Sequence, residues 1–350
     1  MQPANCQKKG FAVNQNFLLL LLSLLFYALP SCKSKSADTV KQPTDAPITS
    51  KKDLSQIKVG YCTPSLNAPF YVALSKSIQS TTEGYGMKFI SVDGQADIAK
   101  QITAVEDLVA KGIDILILNP LDSKALVPTV NQVVKSGIPV FIVDSYIEPT
   151  AQYITSILAN NQGNGEMVGE YVADKLGKTK IKAAIISGAQ GSPVGKEKRL
   201  GFIRGIAENQ LRTQGSADLT VVSQGWGGWS NNGGLKAMED ILASHPDINV
   251  LMAENDAMAL GAIKALNESG KANNVLVVGF DGQKEALDLI KQGKYQATAL
   301  NSPVGLGKLA VESVVKYLNG DKTLSKVILT PPVLISKEEV NKFYDEKAIF

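Results

Sequence analysis

The feature that most constrains the fold is a regular alternation of short apolar runs and amphipathic segments that begins at Gln56. The run "IDILILN", Ile113–Asn119, is apolar enough to be a strand buried on both faces, as in a parallel sheet. The segment before it, 97–112, has its apolar residues at the spacing of a helix that buries one face. Strands alternating with such helices predict βαβ units with right-handed crossovers and parallel sheets.

The number of strand-like runs predicts two lobes. We count about ten, more than one open sheet comfortably holds. We therefore expect an α/β protein with two lobes, each built on a parallel sheet. The late run "KVILTPPVLIS", 326–336, follows the last long helix and is placed to cross back between the lobes.

Composition indicates a packed globular body without a nucleic-acid partner. The chain has 350 residues, of which 44% are hydrophobic and 20% charged. The net charge is +3, and Lys8 and Lys9 are the only charges before residue 32. The remaining chain is nearly neutral and has no stripe of Lys and Arg. Nucleic-acid-binding surfaces usually carry such a stripe, so the sequence argues against a nucleic-acid partner.

The N-terminus predicts export. Lys8 and Lys9 precede the apolar stretch Phe17–Leu29, which suits the core of a signal peptide and is short for a membrane span. "LPSC" then ends at Cys32 and resembles a bacterial lipobox, in which the cysteine is lipidated. We expect a lipoprotein signal peptide over 1–31 and a flexible tether over 32–55; an uncleaved signal anchor is the alternative. Both place the body in the periplasm or on the extracellular face of the cytoplasmic membrane.

The cysteines predict no structural disulfide. Cys6 lies in the leader and Cys32 is the lipidation candidate, so Cys62 is alone in the body. Because it lies in an apolar strand, we expect a buried thiol.

Polar and aromatic residues cluster just after the predicted strands, where open α/β sheets bind ligands. The candidates are Asn67, Phe70, Tyr71, Asn119, Asp144, Ser145, Lys198, Trp229, Asn255, Phe280, Asp281 and Asn301. Amides and carboxylates hold adjacent hydroxyls, and aromatic faces cover the C–H face of a sugar ring. This set predicts a neutral polyhydroxyl ligand.

Catalytic and cofactor motifs are missing from the sequence. His245 is the only histidine, so a histidine triad or zinc site is not expected. No GxGxxG follows the first strand, and "GNGEMVG" lacks the P-loop lysine. Asp144 and Asp281 form a pair of carboxylates without a nucleophile. We therefore expect no enzyme, no cofactor and no metal.

Four stretches carry a family resemblance: "SLNAPFYVAL", "ILILNPLDSKAL", "AENDAMALGAIKAL" and "VVGFDG". Over Ile57–Ile335 the chain resembles the ribose-binding-protein group of type I periplasmic binding proteins, the sugar receptors of ABC importers. The resemblance implies two Rossmann-like lobes joined by three hinge strands, with the sugar in the cleft. It implies a first lobe of 56–158 plus 302–330 and a second lobe of 159–301 plus 331–350.

The resemblance implies a function and an alternative. A monomeric, membrane-tethered protein would capture a monosaccharide or polyol and deliver it to an ABC permease by hinge closure. The alternative is a sensor that presents the sugar to a histidine kinase or chemoreceptor. Cytoplasmic repressors share this body but need an N-terminal helix-turn-helix, and residues 1–55 are a leader and tether instead.

The resemblance also assigns residues. The family's contacts fall at Phe70, Tyr71, Asn119, Asp144, Trp229, Asn255, Asp281 and Asn301, with Phe280 lining the cleft. The first-loop asparagine falls at Ala68, and neighbouring Asn67 is the candidate to replace it. Ser145 and Lys198 stand where ribose receptors carry arginines, and lysine lacks the bidentate guanidinium fork, so ribose is not the expected sugar.

The adjacent Asn255 and Asp256 are expected to have different roles. Asp is a favoured N-cap, so we expect Asp256 to cap the helix that begins there. Asn255 would then be free to contact the ligand.

Overall fold

The computed structural model describes residues 53–350. The predicted signal peptide, Cys32 and nearly all of the predicted tether lie outside the described residues. After a short 3-10 helix, Leu54–Gln56, strands and helices alternate as the sequence predicts. None of the helices within 53–350 combines the length and the apolar character that crossing a membrane requires.

The first part of the chain forms most of one sheet. Its elements are β1 (Lys58–Thr63), α1 (Pro69–Gly84), β2 (Lys88–Asp93), α2 (Ile98–Ala110), β3 (Ile115–Leu118), α3 (Val127–Lys135), β4 (Val140–Val143) and β5 (Ser156–Ala159). The side chains of β3 and β4 are all buried, which is the reason for their continuous apolar sequence.

The next part forms most of a second sheet. Its elements are α4 (Asn161–Leu176), β6 (Ile181–Ser187), α5 (Pro193–Gln214), β7 (Leu219–Trp226), α6 (Asn231–Ser244), β8 (Val250–Ala253), α7 (Asp256–Glu268), β9 (Leu276–Asp281), α8 (Lys284–Lys291) and β10 (Ala297–Leu300). The chain then returns through α9 (Pro303–Leu318), β11 (Val327–Thr330), β12 (Leu334–Ser336) and α10 (Val340–Phe343).

The two sheets have the same strand order. The first has the order β11-β5-β4-β3-β1-β2 and the second the order β12-β10-β9-β8-β6-β7. Strand pairs are parallel except β10 with β12, which is antiparallel. Within the described residues the chain passes from one sheet to the other after β5, after β10 and after β11. The predicted fold class, two parallel α/β lobes with three connections, is confirmed.

Helices cover both faces of each sheet. In the first lobe α1 and α9 pack on one face, and α2 and α3 pack on the other. In the second lobe α6, α7 and α8 cover one face, and α4 and α5 the other. Cys62 lies in the first-lobe core as the predicted buried thiol, and burial raises its pKa to about 12.

The lobe boundaries predicted from the sequence remain a proposal, with one structural exception. We propose 56–158 with 302–330 and 159–301 with 331–350, because these ranges follow the three connections. The ring of Phe350, however, packs edge-on against Phe70 of the first lobe, with 5.6 Å between ring centroids. The end of the chain therefore contacts the lobe opposite to the one predicted.

Close approach of two helices in the second lobe depends on glycine. Gly205 of α5 lies against the backbone of α4, where a Cβ atom would overlap the carbonyl oxygen of Glu166. A backbone oxygen cannot move aside as a flexible side chain can. The helix pair therefore needs a residue without a side chain at this position.

We predict that Gly205→Ala lowers the free energy of unfolding by about 1–3 kcal/mol. The steric overlap between the two helices destabilises the fold by more than the higher helix propensity of alanine stabilises it. Urea denaturation measures the effect. Gly84→Ala is the matched control, since a Cβ at Gly84 has no neighbour within 4 Å. Equal stability of the two variants would contradict this account of the helix contact.

Candidate functional site

A small cavity lies between the lobes, at the carboxyl ends of the strands of both sheets. Its volume is about 220 Å³. Loops after β1, β3 and β4 line it from the first lobe, and the starts of α5 and α7 line it from the second. The point at which the strand order of each sheet reverses faces this space. Doubly wound folds bind small molecules at such points.

The structure brings most of the predicted site residues together in this cavity. Those that line it are Phe70, Tyr71, Asn119, Asp144, Ser145, Lys198, Trp229, Asn255, Asp281 and Asn301. They come from eight separate stretches of the chain, at strand ends and in helices, and the fold brings them into one place.

Two predicted residues lie elsewhere. Asn67 is exposed, and the neighbouring Ala68 lines the cavity instead. Phe280 is fully buried in the core between the second sheet and α4 and α5. Side chains alternate between the faces of a strand, so the ring of Phe280 points into the core while Asp281, at the end of β9, reaches the cavity.

The prediction for Asn255 and Asp256 is wrong about the helix cap. Asn255 is the N-cap of α7: its backbone is extended, and its Oδ1 accepts a hydrogen bond from the backbone N–H of Met258 at 2.9 Å. Its Nδ2 donates to the carbonyl oxygen of Trp229 at 3.1 Å. Asn255 therefore caps the helix, positions the Trp229 loop and lines the cavity at once.

Asp256 is a structural anchor in the second lobe. It is fully buried as the first residue of α7, and its carboxylate accepts from Tyr295 Oη at 2.7 Å and Thr298 Oγ1 at 2.8 Å. It also accepts from the backbone N–H groups of Gly282 and Gln283, each at 2.8 Å. Burial raises the pKa of Asp256 to about 6, and this effect outweighs the hydrogen bonds, which lower the pKa. Asp256 thus holds the loop that directly follows Asp281.

An amide–carboxylate pair lies on the first-lobe side of the cavity. Asn119 Nδ2 donates to Asp144 Oδ2 at 2.9 Å, and Asn119 is almost completely buried. The Oδ1 atom of Asn119 is buried and has no hydrogen-bond partner. Burial raises the pKa of Asp144, and Asp144 has a φ of 65°, a backbone strain typical of functional sites.

A second amide–carboxylate pair lies on the other side. Asn301 Nδ2 donates to Asp281 Oδ1 at 3.4 Å, and Asn301 Oδ1 is again buried without a partner. Lys198 Nζ lies 3.5 Å from the same carboxylate oxygen. Burial raises the pKa of Asp281 to about 8, while the charge of Lys198 lowers it. Asp281 also has a positive φ, of 119°.

Lys198 is buried and held in place. Its Nζ donates to the backbone carbonyl of Glu254 at 2.8 Å. The ammonium also lies over the rings of Phe280 and Trp229, 5.0 Å and 5.9 Å from their centroids. Phe280 therefore contacts the ammonium group of Lys198 from the core side and does not itself line the cavity.

Glu254 supports the same side of the cavity, and sequence reasoning missed it. Its side chain is completely buried; Oε2 accepts from the backbone N–H of Gly188 at 2.8 Å, and Oε1 pairs with Arg199. These contacts hold the start of the loop Gly188–Ser192, whose later residues line the cavity. The position of Glu254 at the end of a buried apolar strand, directly before Asn255, was the available signal.

Aromatic rings form the apolar walls. Trp229 has a φ of 61° and lies against Gly188, where any Cβ atom would overlap the indole ring. Tyr71 meets Phe70 edge to face, with 5.9 Å between centroids. The cavity therefore combines flat apolar surfaces with acceptor atoms, an arrangement that suits a compact molecule with several hydroxyl groups.

Beside the cavity, a hydrogen bond joins a residue of the first lobe to a residue of the second. Tyr146, which follows β4, donates its hydroxyl to Glu197 Oε2 of α5 at 2.6 Å. Burial is the main cause that raises the pKa of both groups. Neither residue was predicted, because a tyrosine two positions after Asp144 carries no sequence signal for a contact across the cleft.

The described part of the chain holds no group of three or more His, Cys, Asp or Glu side chains placed to bind a metal ion. The acidic residues of the cavity instead take part in hydrogen bonds with amides or a lysine. Their arrangement can accept hydrogen bonds from a bound molecule.

Residues 59–322 match the model of the periplasmic binding protein domain family. The ribose import binding protein of Bacillus subtilis (strain 168) is 37% identical over 314 residues, which cover 89% of this chain and 96% of that protein.

Solved structures show the same fold. An ABC transporter solute-binding protein from Mycobacterium smegmatis, with bound glycerol, superposes with a TM-score of 0.76 at 31% identity, covering 83% of this chain and 98% of the other. A periplasmic solute-binding protein from Actinobacillus succinogenes 130z, with bound D-allose, gives a TM-score of 0.75 at 26% identity, covering 82% and 100%. The resemblance predicted from the strand-end motifs is therefore confirmed, and the chain belongs to the periplasmic binding protein family.

Proposed function

We propose that this protein binds a monosaccharide or polyol between its lobes and delivers it to an ABC permease. The observation that carries the proposal is the pair of amide–carboxylate units, Asn119 with Asp144 and Asn301 with Asp281, that meet in one cavity. Each unit leaves a buried amide oxygen without a donor. A buried acceptor without a partner costs about 1–3 kcal/mol, so ligand hydroxyls would be bound strongly there.

The relatives support a sugar and a binding role. One is named for ribose import, and solved neighbours hold D-allose and glycerol. These are names of binding proteins for transport and not of enzymes. Ser145 and Lys198 stand where the family resemblance implies arginines in ribose receptors, and this argues against ribose itself, because neither residue forms a bidentate fork.

Hinge closure would couple binding to delivery. At the three crossings only residue 160, residues 301–302 and residues 331–333 separate a strand from the next element. The hydrogen bond between Tyr146 and Glu197 would require the lobes to lie close together. A ligand that contacts both lobes would favour this closed form, which the permease would recognise. We further propose a monomer anchored through a lipid on Cys32 at the outer face of the membrane.

A thermal-shift panel of pentoses, hexoses and polyols tests the proposed ligand class. We expect at least one compound to raise the melting temperature, because a ligand that binds only the folded state stabilises it by mass action. Nucleosides and amino acids serve as the comparison set. Stabilisation by members of that set alone would reject the sugar proposal.

The first amide–carboxylate pair gives a mutational test. We expect Asn119→Ala and Asp144→Ala each to weaken binding of the panel's best compound by about 1–3 kcal/mol, since each leaves buried polar groups unpaired. The double variant should lose less than the sum, because the two side chains contact each other. Isothermal titration calorimetry measures the affinities.

Asn67→Ala is the matched control for this pair, since Asn67 is exposed and outside the cavity. Its affinity should equal that of the unmodified protein. A loss at Asn67 together with unchanged binding at Asn119 and Asp144 would place the ligand elsewhere.

Tyr146→Phe tests the closed form. The variant keeps the ring and loses the hydroxyl that donates to Glu197, so we expect faster ligand release and an affinity about fivefold lower, equivalent to about 1 kcal/mol. Stopped-flow fluorescence measures the release rate. Tyr85→Phe, at an exposed tyrosine, is the control. An unchanged release rate in Tyr146→Phe would show that this hydrogen bond does not hold the lobes together.

A further inference from the structure

The charges that line the cavity do not balance. Asp122, Asp144 and Asp281 contribute carboxylates, and Lys198 contributes the one cationic side chain among the lining residues. The two charged residues that flank Lys198 are already engaged, because Glu197 accepts from Tyr146 and Arg199 pairs with Glu254. Three acidic side chains therefore line the cavity against one cationic side chain.

The lysine forms an ion pair with only one of these carboxylates, and its charge reaches Asp144 from a greater distance. Lys198 Nζ lies 3.5 Å from Asp281 and is fixed by the carbonyl of Glu254. Its side chain is only 2% exposed, so it cannot swing to the opposite wall without breaking both contacts. The positive charge thus belongs to the second-lobe side of the cavity.

Asp144 has no such partner. The ion pairs within residues 53–350 include none that involves Asp144. The next residue, Ser145, also lines the cavity and carries no charge. An isolated buried carboxylate is costly unless a cation or several donors reach it.

The amide beside Asp144 has a defined orientation. Asn119 must direct its NH2 group to the carboxylate, because the reverse would place two oxygen atoms against each other. Its Oδ1 therefore remains an acceptor without a partner. Asn301 follows the same logic beside Asp281. The two pairs therefore combine carboxylate acceptors with two buried amide oxygens that the described residues leave without a donor.

Asp122 is a weaker candidate for a cationic group. It accepts from the backbone N–H groups of Lys124 at 2.8 Å and Ala125 at 2.7 Å, and so stabilises its own turn. It is also only partly buried, so solvent screens its charge. Asp144 is the carboxylate with the greatest need for a counter-charge.

We propose that the ligand is a polyhydroxylated ring bearing one amine, an amino sugar or aminocyclitol, with its ammonium group against Asp144 and Asn119. This inference rests on the proposed sugar-binding function and specifies its substrate class. An ammonium supplies three donors and one positive charge, which match the acceptors and the unpaired carboxylate of this wall. The hydroxyl groups of the ring contact Asp281 and Asn301 on the other wall.

Calorimetric titration with matched sugars tests the proposal. The pairs are D-glucosamine with D-glucose and D-galactosamine with D-galactose, and D-glucuronate is the anionic comparison. We expect at least one amine to bind tenfold or more tightly than its neutral parent, and the anion to bind more weakly than either. Neutral parents that bind as tightly as their amines would overturn the amine assignment and leave the sugar-binding function standing.

Two variants locate the charge. Asp144→Asn keeps the shape, and asparagine tolerates the positive φ at this position. It should abolish the preference for the amine while neutral sugars still bind. Asp281→Asn is the comparison: its carboxylate already pairs with Lys198, so it should weaken both members of a pair alike. A preference that survives Asp144→Asn would reject Asp144 as the counter-charge, and no binding of any sugar would reject the proposed function itself.

Discussion

Burial of parallel strands on both faces is the constraint on which the rest of the structure depends. Each strand must be followed by a covering helix, so the carboxyl ends of the strands meet at one edge of each sheet. Both sheets have the same strand order, and the ends of two equivalent strands in each carry the same residue types. Asn119 directly follows β3 and Asn255 lies two residues after β8, while Asp144 directly follows β4 and Asp281 ends β9. The cavity is built where these two edges face each other.

The buried carboxylates differ in how well the protein itself satisfies them. Asp256 accepts four hydrogen bonds from its own lobe, and its pKa rises only to about 6. Asp281 has one amide and a lysine at longer distance, and its pKa rises to about 8. Burial also raises the pKa of Asp144, although the hydrogen bond from Asn119 and the more distant charge of Lys198 lower it, and Asp144 forms no ion pair. Carboxylates that the protein leaves incompletely satisfied are those that face the cavity, where a ligand can complete their hydrogen bonding.

Most of the residues predicted from the sequence line one cavity, but sequence reasoning did not find the residues that hold them in place. Asn119, Asp144 and Asn301 were predicted because strand ends are visible as the limits of apolar runs. Phe280 was misplaced because neither strand limits nor family spacing tells which face of a strand a side chain occupies. The N-cap of α7 was assigned one residue late, since Asn and Asp are both favoured caps and only backbone angles separate them.

The sequence by itself determined the fold class, the two lobes and the set of residues at the strand ends, because the period of apolar side chains and the limits of each run are local properties. Only the tertiary structure decided which of those residues face one cavity, which carboxylate pairs with Lys198 and that Asp144 has no ion pair. It also decided the contact of Tyr146 with Glu197 and of Phe70 with Phe350. These relations join residues far apart in the chain, and their distances depend on how helices and sheets pack.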